Sequence, residues 1–382
     1  MPPKITVIIP TFNRAEYLAE CLDSLFQQTL PPFQVVVVND GSSDQTRKIL
    51  IPYLSAIDYI ETYQSGKSVA LNKGMEKVSG DYVWIFDDDD VALPDALERF
   101  VEPLEGNHQY GFSYGTFLLA APRIEDGRIG TVIGESNIPD LKKKGFLIPL
   151  LEGDFLGGAA FFARTACYRH VGNFDPALIR SQDYEMVVRV AFQFEGVRVR
   201  GGSTFYYRQH KGQRGSIRDR FESELRYKKW LKYDQIFFRR LYREIPLIKY
   251  LPPGWGLEDN IRQAYLQRMR VMASKLLIAE VLQDLDAMAQ LPHLPAYSSQ
   301  ERELVSSLLF VYPYYQSGSI YYDYPEFFGE IRRLSSTSRT IQQFRREILR
   351  ANLNRLNEKR LWEKPKQIYS IVLRSARLFL PY

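Results

Sequence analysis

Cysteine is nearly absent from this chain: Cys21 and Cys167 are the only two in 382 residues, and both fall within amphipathic patterns. That excludes a disulfide scaffold or a cysteine-built metal pair and suits small buried thiols in a reducing compartment. Long apolar runs are missing too. No window approaches the ~20 apolar residues that a membrane-crossing helix requires. The opening MPPKITVIIPTFN is too short an apolar run, and too broken by proline, for a signal peptide. These absences predict a cytoplasmic protein, with peripheral attachment at the inner membrane face left open. Internal repeats and long low-complexity segments are also lacking, which excludes a repeat array.

What is present reads as a folded chain of two domains. Apolar residues make up 45% and charged residues 25%, ordinary values for a globular protein. Aromatics reach 14%, enough to bury a sizeable core and still place some rings on functional surfaces. The net charge of +5 is unevenly divided. From Gly215 onward there are 28 Lys and Arg against 18 Asp and Glu, a balance of +10, which leaves −5 on the first 214 residues. Composition and charge shift together there, so the expected domains are 1–215 and a mainly helical, basic 216–382.

Along the first hundred residues a period of two alternates with a helical period. KITVIIP, FQVVVVND, IDYIETY and DYVWIF read as strands; AEYLAECLDSLFQQ and SVALNKGMEKV carry helical spacing. This alternation predicts an α/β fold with a parallel sheet covered by helices on both faces. APRIEDGRIGTVIGESN reads as polar loop, and GNFDPALIRSQDYEMVVRVAFQFEG continues the α/β pattern. Ligands of such sheets sit at the carboxyl ends of the strands. PTFNR, NDGSSD and DDDD all fall at those ends.

Four adjacent carboxylates, Asp87 to Asp90, follow a buried strand and repel one another unless something compensates them. A hard divalent cation does so with oxygen ligands, typically one or two protein carboxylates plus water and substrate phosphates. A helix N-terminus accounts for one or two of the four, Asp89 and Asp90 among them. Asp40, at the tip of an all-valine strand, is placed to accept from a nucleobase N–H. Ser42, Ser43 or Asp44 is expected to cap the next helix. Thr11 or Asn13 can cap the first helix, whereas Arg14 at a helix start is unfavourable for the dipole and suggests a nearby anion.

PTFNR, VVNDGSSD, LNKG and GDYVWIFDDDDVALPDAL, in that order and spacing, resemble the nucleotide-binding half of family-2 glycosyltransferases. GGAAFFARTACYRHVGNFDPALIRSQDYEMVVRV is similar to the family's acceptor-side segment. The resemblance spans roughly the first 210 residues and implies a GT-A fold that transfers a sugar from a nucleotide-sugar donor, UDP favoured, with inversion and with Mn²⁺ or Mg²⁺. It implies further that Pro10, Thr11, Asn13 and Arg14 border the nucleotide, that Asp40 holds the base, and that Asn72 and Lys73 add polar contacts. Asp87 or Asp88 lies toward the ribose, both being candidate nucleotide contacts, and Asp89 ligates the metal; Asp90 is a secondary contact or a helix cap. Asp183 is the implied base, with Gln182 where the family usually has Glu. His210 occupies the place of a further metal or diphosphate ligand, though a lone His is also commonly structural. Arg208, Lys211 and Arg214 are expected to form a basic loop over the diphosphate. Gly157 and Gly158 either admit an acceptor or mark a bulge, and His108 and His170 are expected at the surface.

The acceptor class suggested is a glycan or a lipid-linked glycan. The basic tail reads as a solvated surface or, through IYSIVLRSARLFLPY, as a membrane-surface contact; no nucleic-acid motif is present. Two other functions compete. FDDDDV formally fits the nucleophile motif of haloacid-dehalogenase-like phosphotransferases, although that motif belongs on a first strand. A non-catalytic glycosyltransferase-like scaffold is the other.

Overall fold

The computed structural model describes residues 2–210, 226–292, 294–309 and 325–356. They form two compact units. One runs to residue 141 and resumes at 154; the other joins 142–153 to the helices from 226 onward. The expected boundary at 215/216 lies outside the described residues. Segment 142–153, read from the sequence as part of the first domain, groups with the helical unit instead.

The first unit is built on strands β1 (Ile5–Thr11), β2 (Gln34–Asn39), β3 (Asp58–Glu61), β4 (Tyr82–Ile85), β5 (Val91–Ala92), β6 (Tyr110–Pro122), β7 (Ile129–Glu135), β8 (Phe161–Arg164) and β9 (Glu195–Arg208). Their order among the described residues is β3-β2-β1-β4-β8-β6-β9-β5, with β7 beside β6. The first four are parallel, as the alternating pattern predicts. Beyond β4 the sheet turns mixed, because β8 runs antiparallel to both β4 and β6. Every residue of β1 and β4 is buried, which fits strands covered on both faces and explains their near-continuous apolar sequence. Helix α1 (Ala15–Phe26) covers one face with Leu18, Cys21, Leu22 and Leu25, spaced at helical period.

Two sequence expectations are corrected. TVIGE does not stay in a loop: β7 pairs antiparallel with β6 from Leu118 to Pro122, and because none of its residues is buried it lacks the alternating pattern of a half-buried strand. The helix expected to begin at Asp89 or Asp90 begins at Ala96, as α4 (Ala96–Glu105). Between them β5 pairs with Phe205 and Tyr206 of β9. Asp90 is therefore no helix cap.

Register decides where the chemistry gathers. Thr11 pairs with Asn39 at the ends of β1 and β2. One strand over, Ile8 pairs with Ile85, and the Phe86 amide donates to the Ile8 carbonyl at 2.9 Å. PTFNR, NDGSSD and DDDD thus emerge along one sheet edge.

The second unit packs helices α5 (Leu147–Glu152), α8 (Arg226–Glu244), α9 (Leu257–Ser274), α10 (Ile278–Ala289), α11 (Ser299–Leu309) and two more, Pro325–Ser335 and Arg339–Leu356. Leu266, Met269, Met272, Val281, Leu285 and Leu304 fill its core. Part of the basic excess is internal: Arg262 pairs with Glu301 at 2.7 Å and Lys275 with Asp234 at 3.1 Å, all four buried. Arg268 Nε donates to Asp284 at 2.9 Å and stacks on Tyr242. These cations hold helices together and are not displayed as a surface patch. Among the described residues no helix is long and apolar enough to cross a membrane. The candidate membrane contact at 368–382, and most of the Tyr-rich VYPYYQSGSIYYDYPEFF, lie outside the described residues.

Candidate active site

The loops after β1 and β2 brace each other. Asn13 takes a left-handed conformation (φ 54°), which Asn tolerates better than most side chains. Its amide oxygen accepts from the Ser43 N–H at 2.8 Å, and its own N–H donates to Ser42 Oγ at 2.9 Å. Asp44 accepts from the Ala15 N–H at 3.1 Å through one oxygen and from the Thr46 N–H at 3.0 Å through the other. The donor-rich start of α1 is therefore served from a neighbouring loop, not by Thr11 or Asn13. Asp40, buried below this brace, accepts from Thr62 Oγ1 (2.6 Å), the Ser65 N–H (2.7 Å) and the Gly66 N–H (2.8 Å). It thereby fixes the loop that begins helix α3 (Lys67–Met75).

The aspartates divide by partner. Asp87 Oδ1 accepts from Lys67 Nζ at 2.7 Å. Asp88 and Asp89 lie 3.9 and 3.7 Å from Arg14 Nε. Asp89 Oδ2 is 2.9 Å from His210 Nε2, whose ring rests against Tyr17. Asp90 Oδ1 accepts from the Arg208 N–H at 3.0 Å and ties this loop to the end of β9. Crowding is visible in the acidities. Burial first, then the charge of Asp89, pushes the Asp88 carboxyl up to about 7, against the pull of Arg14 and the Thr11 hydroxyl. Burial also raises Asp87, aided by Asp183 and Asp89 and opposed by Lys67, although its side chain stays 31% open to water. Beneath them Cys21 is a buried thiol, its acidity suppressed by burial and by the aspartates.

Asp183 sits in the first turn of α7 (Gln182–Gln193), and its Oδ2 accepts from the same Lys67 Nζ at 2.8 Å. One ammonium thus joins the strand-end aspartates to the implied base. Gly158 packs directly on Asp183: a Cβ there would lie 3.0 Å from both Cβ and Cγ of the aspartate. Gly158 is small for that reason, and a simple strand bulge does not account for it. Gly158→Val is expected to displace the carboxylate and lower kcat about 100-fold, the cost of an ångström-scale misplacement, with UDP affinity unchanged by calorimetry.

Other expected contacts fall elsewhere. Asn72 is spent on structure: its Nδ2 donates to the Phe174 carbonyl at 2.9 Å and its Oδ1 accepts the Phe174 N–H at 2.8 Å. Lys73 pairs with Glu76 at 3.2 Å on the exposed side of α3. Arg208 is no mobile cover for a diphosphate. It is completely buried, donating to the Asp89 carbonyl (2.7 Å), Glu20 (2.7 Å) and the Gly127 carbonyl, and it stacks on Tyr17. Lys211 and Arg214 lie outside the described residues. His108 and His170 are exposed, as expected. Lys67 escaped the sequence reading, yet it carried the same signal as Arg14, a cation opening a helix against the dipole.

Among the described residues no three His, Cys, Asp or Glu side chains form a self-sufficient metal cage. A hard cation does not need one. The pair Asp89 Oδ2 and His210 Nε2, 2.9 Å apart, suits a metal that completes its shell with water and phosphate oxygens. The acids raised by crowding are the groups whose charge such an ion relieves.

A parallel sheet that gathers aspartates at its carboxyl edge, then turns mixed and brings in a further carboxylate from α7, is the arrangement of a GT-A fold. The family model of glycosyl transferase family 2 matches residues 6–170. An uncharacterized glycosyltransferase of Rickettsia felis is 31% identical over 195 residues, covering 50% of this chain and 32% of the relative. A GalNAc(5)-diNAcBac-PP-undecaprenol beta-1,3-glucosyltransferase of Campylobacter jejuni is 28% identical over 161 residues, 40% of this chain and 50% of that one. The solved structure of S. aureus TarS with UDP-GlcNAc aligns over 91% of this chain and 89% of that chain, at 15% identity and a TM-score of 0.49. The chain spans about a third of the length of the first relative and half of the second.

Proposed function

We propose that this chain is an inverting glycosyltransferase that moves a sugar from a nucleotide diphosphate, UDP favoured, to a glycan or lipid-linked acceptor. The observation that carries this reading is the meeting of Asp183 with the Asp87 loop across one lysine, 2.8 and 2.7 Å away. It brings a candidate base and a candidate donor site to the same place, although they lie far apart in sequence.

In this reading Pro10, Thr11, Asn13 and Arg14 border the nucleotide and Asp40 supports its base-binding loop. Asp87 and Asp88 face the ribose and sugar hydroxyls. Asp89 and His210 would hold Mn²⁺ or Mg²⁺, which neutralises charge on the departing diphosphate when bound. Asp183 takes the proton of the acceptor hydroxyl as that oxygen bonds to the anomeric carbon. The bond from that carbon to the diphosphate oxygen breaks on the opposite face, so configuration inverts. In the same reading Arg14, now beside Asp88 and Asp89, meets the phosphates once a cation offsets those acids.

The name of the Campylobacter relative, with its undecaprenol-linked acceptor, supports a lipid-linked glycan here. The phosphotransferase alternative is weakened because FDDDDV follows the fourth strand, while the first ends in PTFNR. The test is acceptor-dependent UDP release from a panel of UDP-sugars with Mn²⁺ and polyprenyl-diphosphate-linked or free glycans. Sugar transfer with inverted configuration is expected. Release from no donor, with any acceptor, overturns the proposal.

A further inference from the structure

We propose that Lys67 is the positioning residue that locks the Asp183 carboxylate for proton abstraction, and that it does so by bridging Asp183 to Asp87. This inference rests on the glycosyltransferase reading above and deepens it. Lys67 opens α3, where the helix dipole disfavours a cation, and its side chain is only 27% exposed. Such a placement needs compensation, and two carboxylates at 2.7 and 2.8 Å supply it. Burial alone pulls the ammonium down; Asp183 and Asp87 outweigh burial and hold it well above the ordinary lysine value. Lys67 is therefore a fixed cation, unsuited to be the base itself.

The surroundings leave the lysine little freedom. On one side the Gly66 N–H is held by Asp40 at 2.8 Å. On the other, Ser68 Oγ donates to the Leu178 carbonyl at 2.8 Å, and Asn72 grips Phe174 with both amide atoms. These contacts join α3 to the loop that leads into α7, so Lys67 and Asp183 belong to one braced assembly. Gly158 limits Asp183 from a second direction.

The clamp uses one carboxylate oxygen, Oδ2. The other, Oδ1, is buried and has no hydrogen-bond partner among the described residues. A buried acceptor without a partner is costly, so the orientation of the carboxylate depends on the bond that Oδ2 makes. Lys67, through Oδ2, sets the orientation in which the Asp183 carboxylate meets the acceptor's proton. Lys67 acts through Asp183 and need not touch the substrate.

The test compares wild type, Lys67→Met, Lys67→Arg and Lys67→Gln, each also in an Asp183→Asn background. Lys67→Met is expected to lower kcat about 100-fold while donor KM and the Kd for UDP with Mn²⁺ change less than about threefold. Lys67→Arg should recover at least about tenfold of that loss, because it restores the charge. In the Asp183→Asn background Lys67→Met should cost almost nothing more, since both changes remove one function. A crystal structure of Lys67→Met should show the Asp183 side chain turned from its wild-type orientation. Lys67→Gln carries the same readouts if the methionine variant does not fold. A wild-type kcat in Lys67→Met or Lys67→Gln overturns the inference, as does UDP affinity that falls in step with kcat, or full additivity with Asp183→Asn. If wild type itself binds UDP but transfers sugar to no acceptor, the underlying functional reading has failed instead.

Discussion

Asp183→Asn is expected to lower kcat about 1,000-fold, within the range that a positioned general base supplies. The amide keeps the shape of the carboxylate but cannot take the acceptor's proton. UDP affinity should stay within about threefold of wild type, because the change lies outside the strand-end loops proposed to hold the nucleotide. Losing one counter-charge leaves Lys67 with Asp87 alone, so a small fall in thermal stability is expected too. Steady-state transfer assays and calorimetry separate these effects. Retention of more than a tenth of the wild-type kcat removes Asp183 from the base role.

Asp89→Asn should be as damaging to turnover and opposite in its effect on stability. Its carboxylate faces His210 at 2.9 Å and Arg14 at 3.7 Å, and it is the charge that presses most on Asp88 after burial. An amide is a poor ligand for a hard cation, so a loss of more than about 100-fold in donor turnover is expected. The same substitution removes a like charge from a crowded loop, so the metal-free protein should melt at the same temperature or slightly higher. Activity lost with stability kept is the signature of a functional carboxylate. If Asp89→Asn instead abolished turnover yet left the protein's biological role intact, the scaffold reading would gain.

Much of the first unit was legible in the sequence because its signals are local. Valine and isoleucine runs ending in PTFN, NDGSSD and DDDD already placed three polar clusters at strand ends, and parallel register brought them to one edge. The family-like segments point to Asp183 and, separately, to Asp89 and His210; that the last two touch is visible only in the structure. What stayed hidden depends on partners remote in sequence. Lys67 meets Asp183 across 116 positions, and Arg208 reaches Glu20 across 188. No periodicity reports such meetings. Asn72 looked like a ligand contact because an amide serves a substrate or a loop backbone equally well; here it binds Phe174. β7 was missed because its outward Val132 and Ile133 lie among glycines and polar residues.

The most direct measurement is the calorimetric titration of the wild-type chain with UDP, with and without Mn²⁺. The expected result is binding that tightens at least about 100-fold when Mn²⁺ is present, because the crowded aspartates need a cation before they tolerate a diphosphate. Equal affinity in both conditions, or no UDP binding in either, would contradict a metal-dependent nucleotide site at the Asp87–Asp89 loop.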